Sequence, residues 1–449
     1  MELIARTLQA SRMLLLHMHM ALAYADVPTP LARFAQPGDP RLRYEGRWMH
    51  QSSGAFADWP CSTLAFGVNA GTAGAVLRVT WAGPRLRLNV TIESADGETR
   101  SATTWKGAEY DLPFTPPKRS DISVPPGGSL VRLRKLSSAT PYAPGIGSKL
   151  LRPSVLEFRG IDLVRGNASL EAPPTPPRSI EIIGASDSAG YCVDGTPNTS
   201  SLAYTLGGWE RSNCDATALA EVARRVDASL SVQAFAGAGL TQNANARQRW
   251  QMGKLTMADY YNRTLQTRAA PVWDVRAHQP PQLVLVSLGG NDYNHQQGRV
   301  PTNATFEAAY AKLLSDLFTT YTGRVEGTGA ATELGDETAG RRDAAAAAAA
   351  VGLEPQRPVV VSICGQGSPE EARHDPDNNR CRSCPHVESS VRAFQRGHPA
   401  LRVEYILIPC DGSVVTGEGD IGCNGHKNRR GQLEVARFLE PKLRHIMGW

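Results

Sequence analysis

The chain has 449 residues and a formal net charge of +5, with 41% hydrophobic and 20% charged residues. At roughly 100–200 residues per domain this length predicts two or three domains, and the composition is globular rather than disordered. The charge is small and no Lys/Arg block stands out, while no apolar run approaches the roughly 20 residues of a membrane span; nucleic-acid-binding and membrane classes are excluded.

The N-terminus points to a compartment. Arg6 and Arg12 precede a mostly apolar stretch, residues 13–22, which ends in Ala23-Tyr24-Ala25, the small-x-small pattern of a signal-peptidase site. A signal peptide over residues 1–25 is expected, leaving no membrane attachment after cleavage before Asp26. Five Asn-x-Ser/Thr sequons, at Asn89, Asn167, Asn198, Asn262 and Asn303, and eight cysteines favour the secretory route. Cys192/Cys214 and Cys410/Cys423 are expected as local disulfides.

Two textures follow. Residues 40–170 carry short alternating runs, such as 75–81 and 86–92, separated by turn clusters such as Pro125-Pro126-Gly127-Gly128. That pattern predicts an antiparallel β-sandwich. A Pro-rich joint, residues 171–178, reads as a stiff linker. Beyond it, apolar strands at 179–184, 230–236, 283–288, 358–364 and 403–408 alternate with helical stretches near 216–226, 306–321, 387–395 and 432–445. Such alternation implies βαβ units and a flavodoxin-like, three-layer α/β domain over 179–449. Residues 323–356, with seven consecutive alanines, have no apolar stripe to dock and are expected to be a surface insertion.

Ligands of an open parallel sheet bind beyond the carboxyl ends of its strands. The first strand runs into Gly184-Ala185-Ser186-Asp187-Ser188, where Ser186 is placed like a nucleophile. The second runs into Gly237-Ala238-Gly239, where glycine lets a backbone N–H approach a substrate. The third ends in Gly289-Gly290-Asn291-Asp292, offering the Asn291 amide as a donor, with Asp292 as a local cap. Gly422-Cys423-Asn424-Gly425-His426 supplies an imidazole before the last helix.

This Ser–Gly–Asn–His order resembles the SGNH (GDSL-type) hydrolases, and the whole chain resembles carbohydrate esterase family 2, which joins a jelly-roll domain to an SGNH domain. Tyr44-Glu45-Gly46-Arg47-Trp48, the strands at 130–135 and 156–160, and Tyr261-Asn262-Arg263-Thr264-Leu265 followed by Trp273-Asp274 carry the likeness over roughly residues 40–445. The resemblance implies Ser186 as nucleophile, His426 as general base, and an oxyanion hole of the Ser186 N–H, the Gly237 N–H and the Asn291 amide, with no cofactor or metal. Gly190-Tyr191, four residues past Ser186, matches the family spacing and favours Ser186 over Ser188. The chain departs from the family pattern at Ala185, where an acid is common, at Gly290, where Thr is common, and at Lys427, where Pro is common. No acid stands two or three residues before His426; Asn424, Asp420 or a backbone carbonyl is left to orient the ring.

Cys381-Arg382-Ser383-Cys384-Pro385-His386, with His374, has zinc-like spacing, but in a secreted chain these cysteines are expected in disulfides. Tyr191, Trp209 and Tyr293 are candidates to stack on a sugar, each equally suited to core packing, and Trp273 leans to the core. The expected function is a secreted O-acetyl esterase whose partner is an acetylated polysaccharide or oligosaccharide such as xylan or mannan. Acyl transfer to a sugar hydroxyl, or carbohydrate binding without turnover, are the alternatives.

Overall fold

A computed structural model describes residues 32–95, 99–107, 116–138, 153–197, 210–244, 255–293, 300–322, 357–365 and 380–449. The expected signal peptide, the Ala-rich insertion, Trp209 and His374 lie outside these residues. Among the described residues, twelve strands precede the linker: β1 (Ala32–Ala35), β2 (Arg43–Glu45), β3 (Met49–Gln51), β4 (Gly54–Ala57), β5 (Thr63–Asn69), β6 (Ala75–Ala82), β7 (Arg87–Ser94), β8 (Thr99–Lys106), β9 (Lys118–Val124), β10 (Gly128–Lys135), β11 (Leu156–Gly166) and β12 (Ser169–Glu171). They form two antiparallel sheets, β3-β4-β11-β6-β9 with β1 on β11, and β12-β5-β10-β7-β8 with β2 on β5. Alternation drives the pairing. In β6 the side chains of Leu77, Val79 and Trp81 turn inward, and in β10 those of Val131 and Leu133 do, to meet Phe66, Leu88 and Phe158 between the sheets. The same phase makes Lys135 an inward residue at the end of β10, fully buried where the sandwich meets the second domain.

After the linker come β13 (Arg178–Gly184), β14 (Ala228–Ala234), β15 (Leu283–Ser287), β16 (Val359–Gly365) and β17 (Val403–Ile408). All are parallel and ordered β14-β13-β15-β16-β17. That is the 2-1-3-4-5 order of flavodoxin-like sheets, with its switch point between β13 and β15. Helices α1 (Ala218–Arg225) and α4 (Arg429–Met447) cover one face over Ile180, Ile182, Val232 and Leu285. Helices α2 (Asn303–Thr322) and α3 (Cys384–Gly397) cover the other, where Phe306, Tyr310, Leu317 and Phe394 lie over Ile183, Val284, Val286 and Val360. Each buried aliphatic side chain contributes about 1.5–3 kcal/mol relative to exposure.

The sandwich grips the parallel domain through polar groups that strand patterning alone does not show. Arg47 pairs with Glu181 of β13 at 2.9 Å, both buried, and donates to the carbonyls of Tyr261 and Arg263. Asp58 accepts from the Gln266 and Thr267 backbone N–H groups and from the Thr267 hydroxyl. Asn89 donates to Asp215 at 2.8 Å, so this sequon nitrogen is committed to the interface. Arg87 reaches Asp194 at 3.0 Å, on the loop that follows β13.

The disulfides correct the sequence reading. Cys192/Cys214 and Cys410/Cys423 do not pair; the bridges are Cys61–Cys214, Cys192–Cys423, Cys364–Cys384 and Cys381–Cys410. Cys214 is taken by Cys61 of the sandwich, and the sheet brings the loop after β13 against the loop before α4. The Cys192 and Cys423 Cα atoms are 5.2 Å apart, inside the range a bridge requires. Cys381 and Cys384 are both disulfide sulfurs, which removes the thiolates of the zinc-like motif. Among the described residues, no helix is long and apolar enough to cross a membrane.

Candidate active site

Four loops converge at the carboxyl edge of the parallel sheet. The first leaves β13 and turns at once: the Ala189 N–H donates to Ala185 O at 2.9 Å, and the Tyr191 N–H to Ser186 O at 3.0 Å. This turn separates the two serines. A Cβ placed on Gly184 would lie 2.3 Å from Ser188 Oγ, so Ser188 is folded inward against the strand end in space that only glycine leaves. Ser188 is 3% exposed and Ser186 8%. Gly190, at φ +73°, closes the turn against Asn213, whose carbonyl would be 2.2 Å from a Cβ there.

The second and third loops are tied together by Asn291 and Asp292. The Asn291 amide donates one hydrogen to Ala238 O at 2.7 Å, which fixes the side chain beside Gly237 and leaves its second N–H for another acceptor. Asp292 is fully buried and accepts from the backbone N–H groups of Leu240, Thr241 and Gln242 and from the Thr241 hydroxyl. Burial pushes its carboxyl above the usual carboxylate range, while these donors pull it down. Asp292 is thus a cap for loop 240–242, as the sequence suggests. Gly237 holds φ +79°, the left-handed conformation that suits glycine.

The fourth loop carries the histidine. His426 is 7% exposed; its carbonyl accepts from the Gly422 N–H at 2.6 Å, and its N–H donates to Cys423 O at 3.2 Å. The described contacts that bring this loop to the serine loop include the Cys192–Cys423 bridge, the edge-to-face packing of the Tyr191 and His426 rings with centroids 4.7 Å apart, and an ion pair of Lys427 Nζ with Asp187 Oδ1 at 2.9 Å. Ser186 and His426, some 240 residues apart in sequence, therefore sit on cross-linked loops.

The remaining candidates fall out as follows. Asp420 Oδ2 accepts from the Thr416 N–H and hydroxyl, both at 2.9 Å, and Oδ1 lies 2.9 Å from Arg430 Nε as an ion pair, so the carboxylate is tied to its own loop and to the start of α4. Asn424 lies in a short turn, Cys423–Gly425, and its side chain is outside the described atoms. Tyr293 sits in the core: it is 2% exposed, packs on Phe306, stacks on His386 and donates to Asn303. Tyr191 is at the site but lies against His426. Trp273 is half-buried, with His278 stacked on its ring at 4.0 Å and the Arg47 guanidinium 5.6 Å from it.

No family model matches the sequence, and no curated protein does. Solved structures match over almost the whole chain. A family two carbohydrate esterase from Cellvibrio japonicus superposes with a TM-score of 0.64 at 18% identity, over 92% of this chain and 98% of its own. One from Clostridium thermocellum, in complex with cellohexaose, gives 0.62 at 20% identity over 91% and 99%. Est2A, an acetyl xylan esterase from the rumen bacterium Butyrivibrio proteoclasticus, gives 0.62 at 13% identity over 93% and 98%. The chain has the family two carbohydrate esterase fold. At these identities the likeness is one of fold, and it spans the antiparallel sheets and the parallel sheet together.

Within that esterase fold, sequence reasoning reached the four loops but missed what joins them. The Asp187–Lys427 pair and the Cys192–Cys423 bridge link loops distant in sequence. The available signal was adjacency, since Asp187 follows Ser186 and Lys427 follows His426. Glu181 was also detectable, as a lone charge inside the apolar run of β13.

Proposed function

We propose that this protein is a secreted carbohydrate O-acetyl esterase of the SGNH type, acting on an acetylated polysaccharide such as xylan or mannan. The observation that carries the reading is the cross-linking of the Ser186 and His426 loops, with Asn291 held to the loop after the neighbouring strand β14, at the carboxyl edge of the sheet. Ser186 Oγ attacks the ester carbonyl carbon while His426 takes the serine proton. The Ser186 N–H, the Gly237 N–H and the remaining Asn291 N–H hold the oxyanion. The C–O bond to the sugar then breaks, and His426 returns the proton to the departing hydroxyl. Water, deprotonated by His426, cleaves the acetyl-serine to acetate and restores Ser186.

The similar structures include an acetyl xylan esterase and an esterase in complex with cellohexaose, which support the substrate class. Four disulfides among the described residues support an oxidising compartment. The test is acetate release from p-nitrophenyl acetate and acetylated xylan by wild type and Ser186→Ala. Loss in the variant supports the esterase. Equal background from both proteins, with glycan binding retained, refutes it in favour of a carbohydrate-binding protein. The commitment of Asp420 to Thr416 and Arg430 is the observation that favours that second reading. Acetyl appearing on an added sugar rather than in water would mark a transferase.

A further inference from the structure

We infer that Asp187 and Lys427 are a pair of positioning residues that set His426 against Ser186 and balance the charge around the imidazole. The inference rests on the esterase reading for its kinetic part only. Each member is the residue directly after a catalytic candidate, and they meet at 2.9 Å with Lys427 1% and Asp187 17% exposed at the side chain. Taking the Lys427 ammonium out of water is costly, and a hydrophobic pair of similar size often serves stability as well or better, so stability alone does not account for the pair. Its placement supplies a role. The Cys192–Cys423 bridge joins the same two loops at a second point, six residues after Ser186 and three before His426. The Arg429–Asp194 pair, at 2.6 Å, ties the far end of the loop; the Asp187–Lys427 pair is the tether next to the histidine and, with the bridge, fixes its approach to the serine. Misplacement of reacting groups by about 1 Å can cost roughly 10²-fold in rate.

The pair also has an electrostatic consequence. An anion near an imidazole favours its charged form and a cation disfavours it, and here the cation stands on the residue after His426 and holds the anion that follows Ser186. Among the described residues, the other charged or titratable groups on the elements around His426 include Tyr191, Asp420 with Arg430, and Asp194 with Arg87 and Arg429. Those remain in place when the pair is altered. Lys427→Met leaves the Asp187 carboxylate and raises the His426 midpoint; Asp187→Asn leaves the ammonium and lowers it. A role confined to packing moves neither in opposite directions.

The experiment is an NMR titration of the His426 ring together with kcat and KM on p-nitrophenyl acetate, for wild type, Lys427→Met, Asp187→Asn and the double variant. We expect opposite midpoint shifts in the single variants and a midpoint near wild type in the double. We also expect kcat to fall roughly 10-fold to 10²-fold in all three while KM stays within about twofold. Midpoints that move the same way or stay fixed, or a loss confined to KM, overturn the inference. The double variant leaves no lone buried charge, so it serves where a single variant fails to fold: unchanged kcat there also overturns the inference. Should Ser186→Ala show that the protein is no serine esterase, the titration still decides whether the pair sets the charge at His426.

Discussion

Replacing Lys135 by methionine should flatten the dependence of stability on pH between 7 and 9. Lys135 is fully buried at the end of β10; its ammonium donates to Ser137 O and lies near the buried Asp58. Burial pushes the ammonium down from 10.5 to about 7, with Asp58 pulling the other way. In the unfolded chain the side chain titrates near its ordinary value. Between the two values the unfolded state binds a proton that the folded state does not, so stability rises with pH, by about 1.4 kcal/mol per unit for one full proton. From pH 7 to 9 this site then adds about 2–3 kcal/mol to wild type and nothing to Lys135→Met, which has nothing to titrate. Urea unfolding of both proteins, disulfides intact, measures the difference, and subtraction removes the titration of groups that do not touch the Lys135–Asp58 pair. Parallel stability profiles over that interval would refute the assignment of a displaced proton equilibrium to Lys135.

Two further outcomes are expected. Asn291→Ala removes an oxyanion donor as well as the bond to Ala238 O, and kcat on an acetyl ester should drop about 10²-fold to 10³-fold with a much smaller change in KM, read by steady-state kinetics. Glycopeptide mass spectrometry of protein secreted from a glycosylating host should find sugar on the exposed Asn167 and Asn262 but not on Asn89, whose nitrogen holds Asp215; full occupancy at Asn89 would contradict the interface.

The sequence marks the five parallel strands because runs of Val, Ile and Leu buried on both faces leave few other readings. Where the ends differ, a local bond or pairing explains it. Strand β14 starts at Ala228 rather than 230, since Ala228 and Ser229 pair with Arg178 and Ser179 despite being less apolar. Helix α2 starts at Asn303 rather than 306, because the Thr302 hydroxyl accepts from the Thr305 N–H at 3.2 Å. The candidate site was legible as four loops because glycines and short polar side chains follow buried strands. Its closure was not: disulfide pairing and the Asp187–Lys427 contact depend on which loops the doubly wound sheet brings together. Tyr293 was ambiguous for a related reason. An aromatic ring two residues past Asn291 suits a sugar or a core, and only Phe306 and His386 packed around it decide for the core.

The central claim is that Ser186 carries the acyl group. Rapid acid quench of wild type turning over an acetyl ester, followed by digestion and tandem mass spectrometry, reads this directly. The account predicts one acetyl group on Ser186, absent from Ser186→Ala. Acetate release with no acetyl on Ser186, or with the acetyl on Ser188, would contradict it.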